Sequence, residues 1–296
     1  MTLKGGRSVQ AKIKHFYHKP TWTYSYVVSD PETLQCAIID SALDFNYDTG
    51  KISTQAADDI ALYIEEEGLT VAWLLETHAH ADHLSGAHYL KGKLGGKIAI
   101  GEYIREIQQV FKEVFNLEKH FPVDGSQFDH LFSDGELFSI GNIKVKALHT
   151  PGHTPACVSY LMEGVVFVGD TIFMPDAGSA RCDFPGGDAR TLFRSIKKLL
   201  ALPEQTKLYM CHDYAPEEAV VGPRWVTSVA EERAHNKHVH DGINEEKFIE
   251  MRTARDQMLT MPKLILPSIQ INIRAGALPP KEDNGARYLK LPLNQF

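Results

Sequence analysis

Cysteine is scarce in this chain of 296 residues, and the four present (Cys36, Cys157, Cys182 and Cys211) form no Cys-x-x-Cys pair. That spacing argues against a structural zinc ribbon. In a chain this long, free thiols in a reducing compartment are a simpler expectation than two disulfides. Long apolar runs are also missing. None approaches the roughly 20 residues that span a bilayer, and residues 1–20, polar and mixed in charge, lack the apolar core of a secretory signal. A soluble, cytoplasmic protein is therefore expected. There is no long basic block, and the net charge of −7 argues against a nucleic-acid-binding surface. Solenoid-period repeats and low-complexity segments are absent too, which leaves an ordinary globular chain, 43% hydrophobic, able to bury a sizeable core.

What is present reads as alternating strands and helices. Residues 11–18, 22–29 and 35–40 are short, rich in β-formers and separated by turn residues, as expected of antiparallel hairpins. Residues 53–67 carry Ala57, Ile60, Ala61 and Ile64 on one helical face, and Gly68 ends the helix. A buried strand over 70–76 follows. Helices are expected over 84–94 and 102–115, and a strand over 97–100. Two strands within 135–148 turn at Gly141-Asn142, and a hairpin spans 157–169. Asp188 is placed to cap a helix over 189–202. A strand over 207–211, helices over 225–235 and 245–259, and an extended Pro-rich tail from Pro262 complete the reading. Strand-rich halves each closed by helices suggest two packed sheets with helices outside.

The chemistry is concentrated in Thr77-His78-Ala79-His80-Ala81-Asp82-His83, where four groups able to bind a metal follow a strand and precede a helix. Any one of them alone reads as a packed or surface polar residue; four at a strand end read as a metal site. In extended chain, His78 and His80 project to one side, and Asp82 and His83 turn at the helix entrance toward a neighbouring point. Further candidates also fall at strand ends, where loops present ligands from a rigid scaffold: His153 in Thr150-Pro151-Gly152-His153-Thr154, Asp170, and His212. Imidazoles with a carboxylate suit Zn(II), Fe(II) or Mn(II), and two imidazoles with one carboxylate is the facial arrangement of non-haem Fe(II) oxygenases.

Taken together, His-x-His-x-Asp-His, Gly-His-Thr, Gly169-Asp170 and the later His212 resemble the signature of the metallo-β-lactamase superfamily, over roughly residues 11 to 235. The resemblance implies an α+β fold, the αββα sandwich, with the metal at one edge of the two sheets. It is expected as a single domain with a C-terminal extension: residues 1–240 as catalytic unit, and 241–296 as a helix and extended tail packed on it. It also implies two ways of using the ligands. A two-metal hydrolase would use His78, His80 and His153 for one zinc, Asp82, His83 and His212 for the other, and Asp170 between. A one-iron oxygenase would use His78, His153 and Asp170, with His80, Asp82, His83 and His212 as hydrogen-bond partners around them.

The segment Gly178-Ser179-Ala180-Arg181-Cys182-Asp183-Phe184-Pro185-Gly186-Gly187 resembles the loop that follows the metal aspartate in persulfide dioxygenases, and Trp22-Thr23-Tyr24-Ser25-Tyr26 is similar to an early strand of that family. The tail from Ile273-Arg274-Ala275-Gly276 resembles a bacterial subgroup, while Cys182 stands where many members have Thr. The implied reaction is oxidation of glutathione persulfide by O2 to sulfite and glutathione at one Fe(II) per chain. The alternative is a zinc hydrolase of glutathione thioesters or lactones, similar to glyoxalase II. The resemblance leaves room for a homodimer. Arg181 suits either a substrate carboxylate or an ion pair with Asp183 or Asp170. Asp183, Tyr214 and Arg274 are further candidates for substrate contact. Cys182 is read as a packed thiol ahead of a reactive one, and His235, His238 and His240 as a solvated helix end.

Overall fold

The computed structural model describes residues 10–214 and 222–294. In chain order, β1 (Lys12–His18) and β2 (Thr23–Ser29) form a hairpin, followed by β3 (Gln35–Ile39), the small hairpin β4 (Ala42–Asn46) and β5 (Lys51–Ser53), and helix α1 (Gln55–Glu66). Then come β6 (Thr70–Leu75), β7 (Leu84–Ser85), α2 (Ala87–Leu94), β8 (Lys97–Gly101), α3 (Ile104–Val114) and β9 (His130–Phe132). The second half runs β10 (Leu137–Ile140), β11 (Ile143–His149), β12 (Val158–Met162), β13 (Val165–Phe167), α4 (Ala189–Leu200), β14 (Lys207–Tyr209), β15 (Val226–Ser228), α5 (Val229–His235), α6 (Glu245–Asp256) and α7 (Ile265–Asn272). Two six-stranded sheets have the orders β1-β2-β3-β6-β8-β9 and β10-β11-β12-β13-β14-β15, and a small third sheet has the order β5-β4-β7.

Strand periodicity explains the layering. In β2, Tyr24, Tyr26 and Val28 point into the core between the sheets, while Val27 points to the helices; in β3, Ala37 and Ile39 take the inner side and Cys36 and Ile38 the outer. The second sheet contributes Val145, Tyr160 and Phe167 to the same inner core. The helical stripes cover the outer faces: Ala57, Ile60, Ala61 and Ile64 of α1 on the first sheet, Leu192, Ile196 and Leu199 of α4 on the second. Each buried Ile or Leu among them contributes ~1.5–3 kcal/mol. The result is a single αββα domain.

The structure departs from the expected elements where a strand's partner is remote in sequence. The expected helix over 84–94 starts only at Ala87. Leu84 and Ser85 instead pair with Leu43 and Ala42, and Asn272 Oδ1 accepts from the Ser85 N–H (2.8 Å). The expected helix over 225–235 begins at Val229, capped by Ser228, because Val226–Ser228 pairs with β14. The tail is not extended throughout, since α7 lies within it and carries Pro267 in its first turn, where the missing N–H costs nothing. The β4–β5 hairpin and β9 were not anticipated. Asp188 caps α4 as expected, accepting from Thr191 N–H (2.7 Å).

Two glycines let ligand-bearing turns approach the sheets and helices. Gly169 has φ +53, and a Cβ there would lie 2.7 Å from Thr77 Cβ; Gly152 has φ +134, and a Cβ would meet the Leu192 backbone at 2.3 Å. Gly152→Ala is therefore expected to destabilise the fold by ~2–4 kcal/mol through strain and overpacking, read as a lowered melting temperature and reduced soluble yield.

A second prediction comes from α5. Burial pushes the Glu232 carboxyl from its ordinary 4.5 up to about 8, while Glu232 Oε2 accepts from Asn236 Nδ2 (2.6 Å), which also donates to Gly178 O (3.0 Å). A carboxyl raised on folding stabilises fully below pH 4.5, and its contribution is lost as pH rises to about 8. Glu232→Gln should flatten that decline, measured as melting temperature against pH from 5 to 9.

Candidate metal centre

The seven candidate ligands converge at one edge of the sandwich. His78 Nε2 and His153 Nε2 lie 3.9 and 3.8 Å from Asp170 Oδ2, while His212 Nε2 lies 3.4 Å from Asp170 Oδ1 and 3.5 Å from Asp82 Oδ2. His78, His153 and Asp170 form one group of donor atoms within 4.8 Å of one another, and His80, Asp82 and His83 another. Asp170 thus turns one oxygen to each half, and all five imidazoles are buried.

Each imidazole is oriented by a bond on its outward nitrogen. Thr77 Oγ1 donates to Asp40 Oδ2 (2.8 Å), so it accepts from His78 Nδ1–H (3.0 Å). His80 Nε2–H donates to Asp40 Oδ1 (3.0 Å), His153 Nδ1–H to Arg181 O (2.8 Å) and His212 Nδ1–H to Trp22 O (3.2 Å). His83 Nδ1–H donates to Asp82 Oδ2 (3.1 Å). The opposite nitrogens then face inward, and carry a lone pair wherever the ring is neutral. Of these, His78 Nε2, His80 Nδ1, His83 Nε2 and His212 Nε2, together with Asp170 Oδ1, have no hydrogen-bond partner. Buried polar atoms left unpaired cost ~1–3 kcal/mol each, and a metal ion held by either group of donors would remove that cost for the atoms of its own group. Burial, with the neighbouring imidazoles, holds His78 well below its ordinary range and His83 at about 4, the neutral form a metal requires, whereas at His80 the Asp40 and Glu76 carboxylates outweigh burial and hold the imidazole well above its ordinary range. Burial likewise lowers His153. The donor set fits a metal.

Three residues that hold this arrangement escaped the sequence reading. Asp40, at φ +50 after β3, accepts from Thr77 N–H (2.7 Å), Thr77 O–H and His80. Burial opposes its charge, but His80 and the Thr77 bonds outweigh that and keep it ionised. Glu76 lies 3.2 Å from His80 Nε2. Asn272 donates from Nδ2 to His80 O (2.7 Å) and His83 O (2.8 Å), so the C-terminal tail braces the ligand run. The only local signal for Asp40 was an acid closing an apolar β-run.

The expected substrate residues divide. Tyr214 lines a cavity of about 510 Å3 that opens on Asp82, His153 and Asp170, and its ring stacks on His212 at 5.2 Å. Arg181 lines the same cavity, but Nε and Nη2 grip Asp183 in a bidentate pair (both 2.6 Å) and Nη1 donates to Thr260 O (2.7 Å). Asp183 is the partner that occupies that fork. Arg274 does not reach the cavity. It pairs with Glu118 (2.7 Å) over the Phe121 ring, because the turn after α7 carries it to the far end of α3. Cys182 is buried and donates to Asp256 Oδ2 (3.3 Å), and burial together with that carboxylate raises its thiol to about 12, an inert packed group. His238, expected in solvent, is buried and accepts from Ser179 N–H (3.0 Å), while His235 is exposed. All four cysteines are buried and unpaired, and among the described residues no helix is long and apolar enough to cross a membrane.

A two-sheet sandwich with histidines and carboxylates gathered at one edge of the sheets defines a metal-dependent enzyme class. Residues 22–212 match the family model of the metallo-β-lactamase superfamily, and the chain belongs to that superfamily. It is 55% identical to Glyoxylase B2 of Dictyostelium discoideum over 97% of this chain and 98% of that protein. It is 26% identical to the mitochondrial persulfide dioxygenase ETHE1 of Homo sapiens, over 95% and 94%. The crystal structure of ETHE1 from Myxococcus xanthus superposes with a TM-score of 0.71 at 27% identity, covering 90% of this chain and all of that one.

Replacing Asp40 by Asn tests the brace. Asn tolerates the positive φ, so the backbone is kept while the charge that orients Thr77 and His80 is lost. Metal affinity is expected to fall about 10–100-fold, measured by competition with a chelator.

Proposed function

We propose that this protein is an Fe(II)-dependent dioxygenase of glutathione persulfide: one persulfide, one O2 and one water give glutathione and sulfite, with two protons released. The observation that carries this reading is the position of the Gly178–Gly187 loop. The segment that resembles persulfide dioxygenases is the one that seats His153. Its Arg181 carbonyl accepts from His153 Nδ1–H, its Phe184 ring meets the imidazole edge-on at 5.1 Å, and the Arg181–Asp183 pair closes over that ring. The likeness to the human persulfide dioxygenase supports the same reading.

His78, His153 and Asp170 would hold the iron, which when bound supplies open positions for the persulfide sulfur and dioxygen. The chain's own contribution is to bind and orient. Arg181 O keeps His153 in one tautomer, Phe173 and Phe184 keep the cavity wall apolar, and Tyr214 over His212 narrows the approach. Asp82 faces the same cavity, where His212 and His83 outweigh burial and keep its carboxylate ionised.

A second reading, a two-zinc hydrolase of glutathione thioesters, is favoured by the unpaired His80, His83 and His212 nitrogens and by the likeness to Glyoxylase B2. The two separate cleanly. Protein purified without oxygen should carry about one iron per chain and consume O2 with glutathione persulfide. Two zincs, thioester cleavage and no O2 uptake would overturn the dioxygenase. His78→Ala should abolish metal binding, whereas His83→Ala should largely retain the iron. Equal metal loss from both variants favours the hydrolase.

A further inference from the structure

The metal-centre cavity has a wall whose charge the chain does not balance. Of the cations lining it, Arg181 is taken up by Asp183, and Arg224 by Asp176 (2.7 and 2.8 Å) and Asp213 (3.4 Å). Lys237, Arg252 and Arg255 remain. Among the described residues, the Lys237 and Arg255 side chains make no hydrogen bond and no ion pair. Arg252 is 1% exposed; it donates from Nη1 to Ser179 O (3.2 Å), its Nη2 lies 2.6 Å from Asp256 Oδ1, and its Nε has no partner. Arg252 is thus a buried guanidinium with an unpaired donor, and beside it on the cavity wall stand two exposed cations without a partner, an arrangement that an anion would complete.

The three cations also act at one point. Burial first, then Arg252, Lys237 and Arg255, drive the His238 imidazole down to about 3. That neutral ring fits against Gly178, where a Cβ would come within 2.2 Å of His238 Nδ1, and accepts from Ser179 N–H. One short loop therefore holds both ends of the cavity. Ser179 carries the cationic wall through its carbonyl to Arg252 and its N–H to His238, and Arg181 carries His153. Ser179 and Arg181 are two residues apart, at most about 7 Å along the chain.

We propose that Lys237, Arg252 and Arg255 form a carboxylate-binding subsite that grips an ionised terminus of a peptide thiol while its sulfur lies at the metal ligands. The proposal rests on the reading of the substrate as a glutathione derivative. It moves the substrate grip from Arg181 and Arg274, both held by internal acids, to cations that have none to pair with, apart from the Arg252–Asp256 contact.

The test uses Lys237→Gln, Arg255→Gln and the double variant, which leave the buried Arg252 and the metal ligands intact. Metal content and melting temperature serve as controls. Glutathione and its diethyl ester are titrated calorimetrically into metal-loaded protein without oxygen. Wild type should bind the diester at least tenfold more weakly than the acid. Each single variant should lose about tenfold in affinity for the acid, and the double variant should no longer distinguish acid from ester. In turnover, KM for glutathione persulfide should rise with kcat little changed. Wild-type indifference to esterification, or discrimination that survives in the double variant, overturns the subsite. If wild type consumes no O2 but the variants still lose affinity for glutathione, the dioxygenase reading falls and the subsite stands. O2 uptake with unchanged KM in both single variants does the reverse.

Discussion

Asp40 lies in left-handed backbone at the end of β3 and receives three donors: the N–H and O–H of Thr77 and the Nε2–H of His80. A buried carboxylate is expensive, and hydrogen bonds to a charged group return ~1.5–3 kcal/mol each. The three bonds secure the loop that follows β6 against the end of the neighbouring strand. They do more than anchor it. By accepting from Thr77 O–H, Asp40 makes the Thr77 oxygen available to His78 Nδ1–H, so one carboxylate orients the rings of both His78 and His80. The centre needs lone pairs aimed inward, and here that direction is decided by an acid on its outer side.

The rest of the centre is assembled from the other sheet and from the tail. Gly169 allows the turn bearing Asp170 to lie against Thr77, so the two halves of the sandwich touch at the site itself. Asn272 fastens the carbonyls of His80 and His83 and the N–H of Ser85 with one side chain. The C-terminal extension thus belongs to the metal centre mechanically, although it offers no ligand. Asp170 presents an oxygen to each half of the ligand set, which is why the same geometry can serve one metal or two.

Much of this was legible from local pattern. Period-2 alternation in β2 and β3 and the stripe on α1 were visible because the side chains that share a face are neighbours in sequence. The candidate ligands were visible because histidine and aspartate at strand ends have few other reasons to cluster. Less legible were the segments whose conformation depends on a distant partner. Val226–Ser228 became a strand because β14 was there to pair with it, and Leu84–Ser85 left its helix because Ala42, Leu43 and Asn272 claimed it. Arg274 was misplaced for the same reason: its partner, Glu118, is far away along the chain.

The sequence by itself determined the layered fold and the family and named the candidate ligands, since each is written in residue type, spacing and periodicity. Only the tertiary structure decided how those residues are used. Which nitrogen of His78, His80, His153 and His212 faces inward is set by Asp40, Arg181 O and Trp22 O, none of which the ligand motif contains. Which cations are free is set by where the acids fall: Asp183 occupies Arg181, Asp176 and Asp213 occupy Arg224, and Lys237 and Arg255 are left facing the cavity. Hydrogen-bond direction and charge pairing depend on contacts over a few ångströms between distant parts of the chain, and such contacts exist only once the chain has folded.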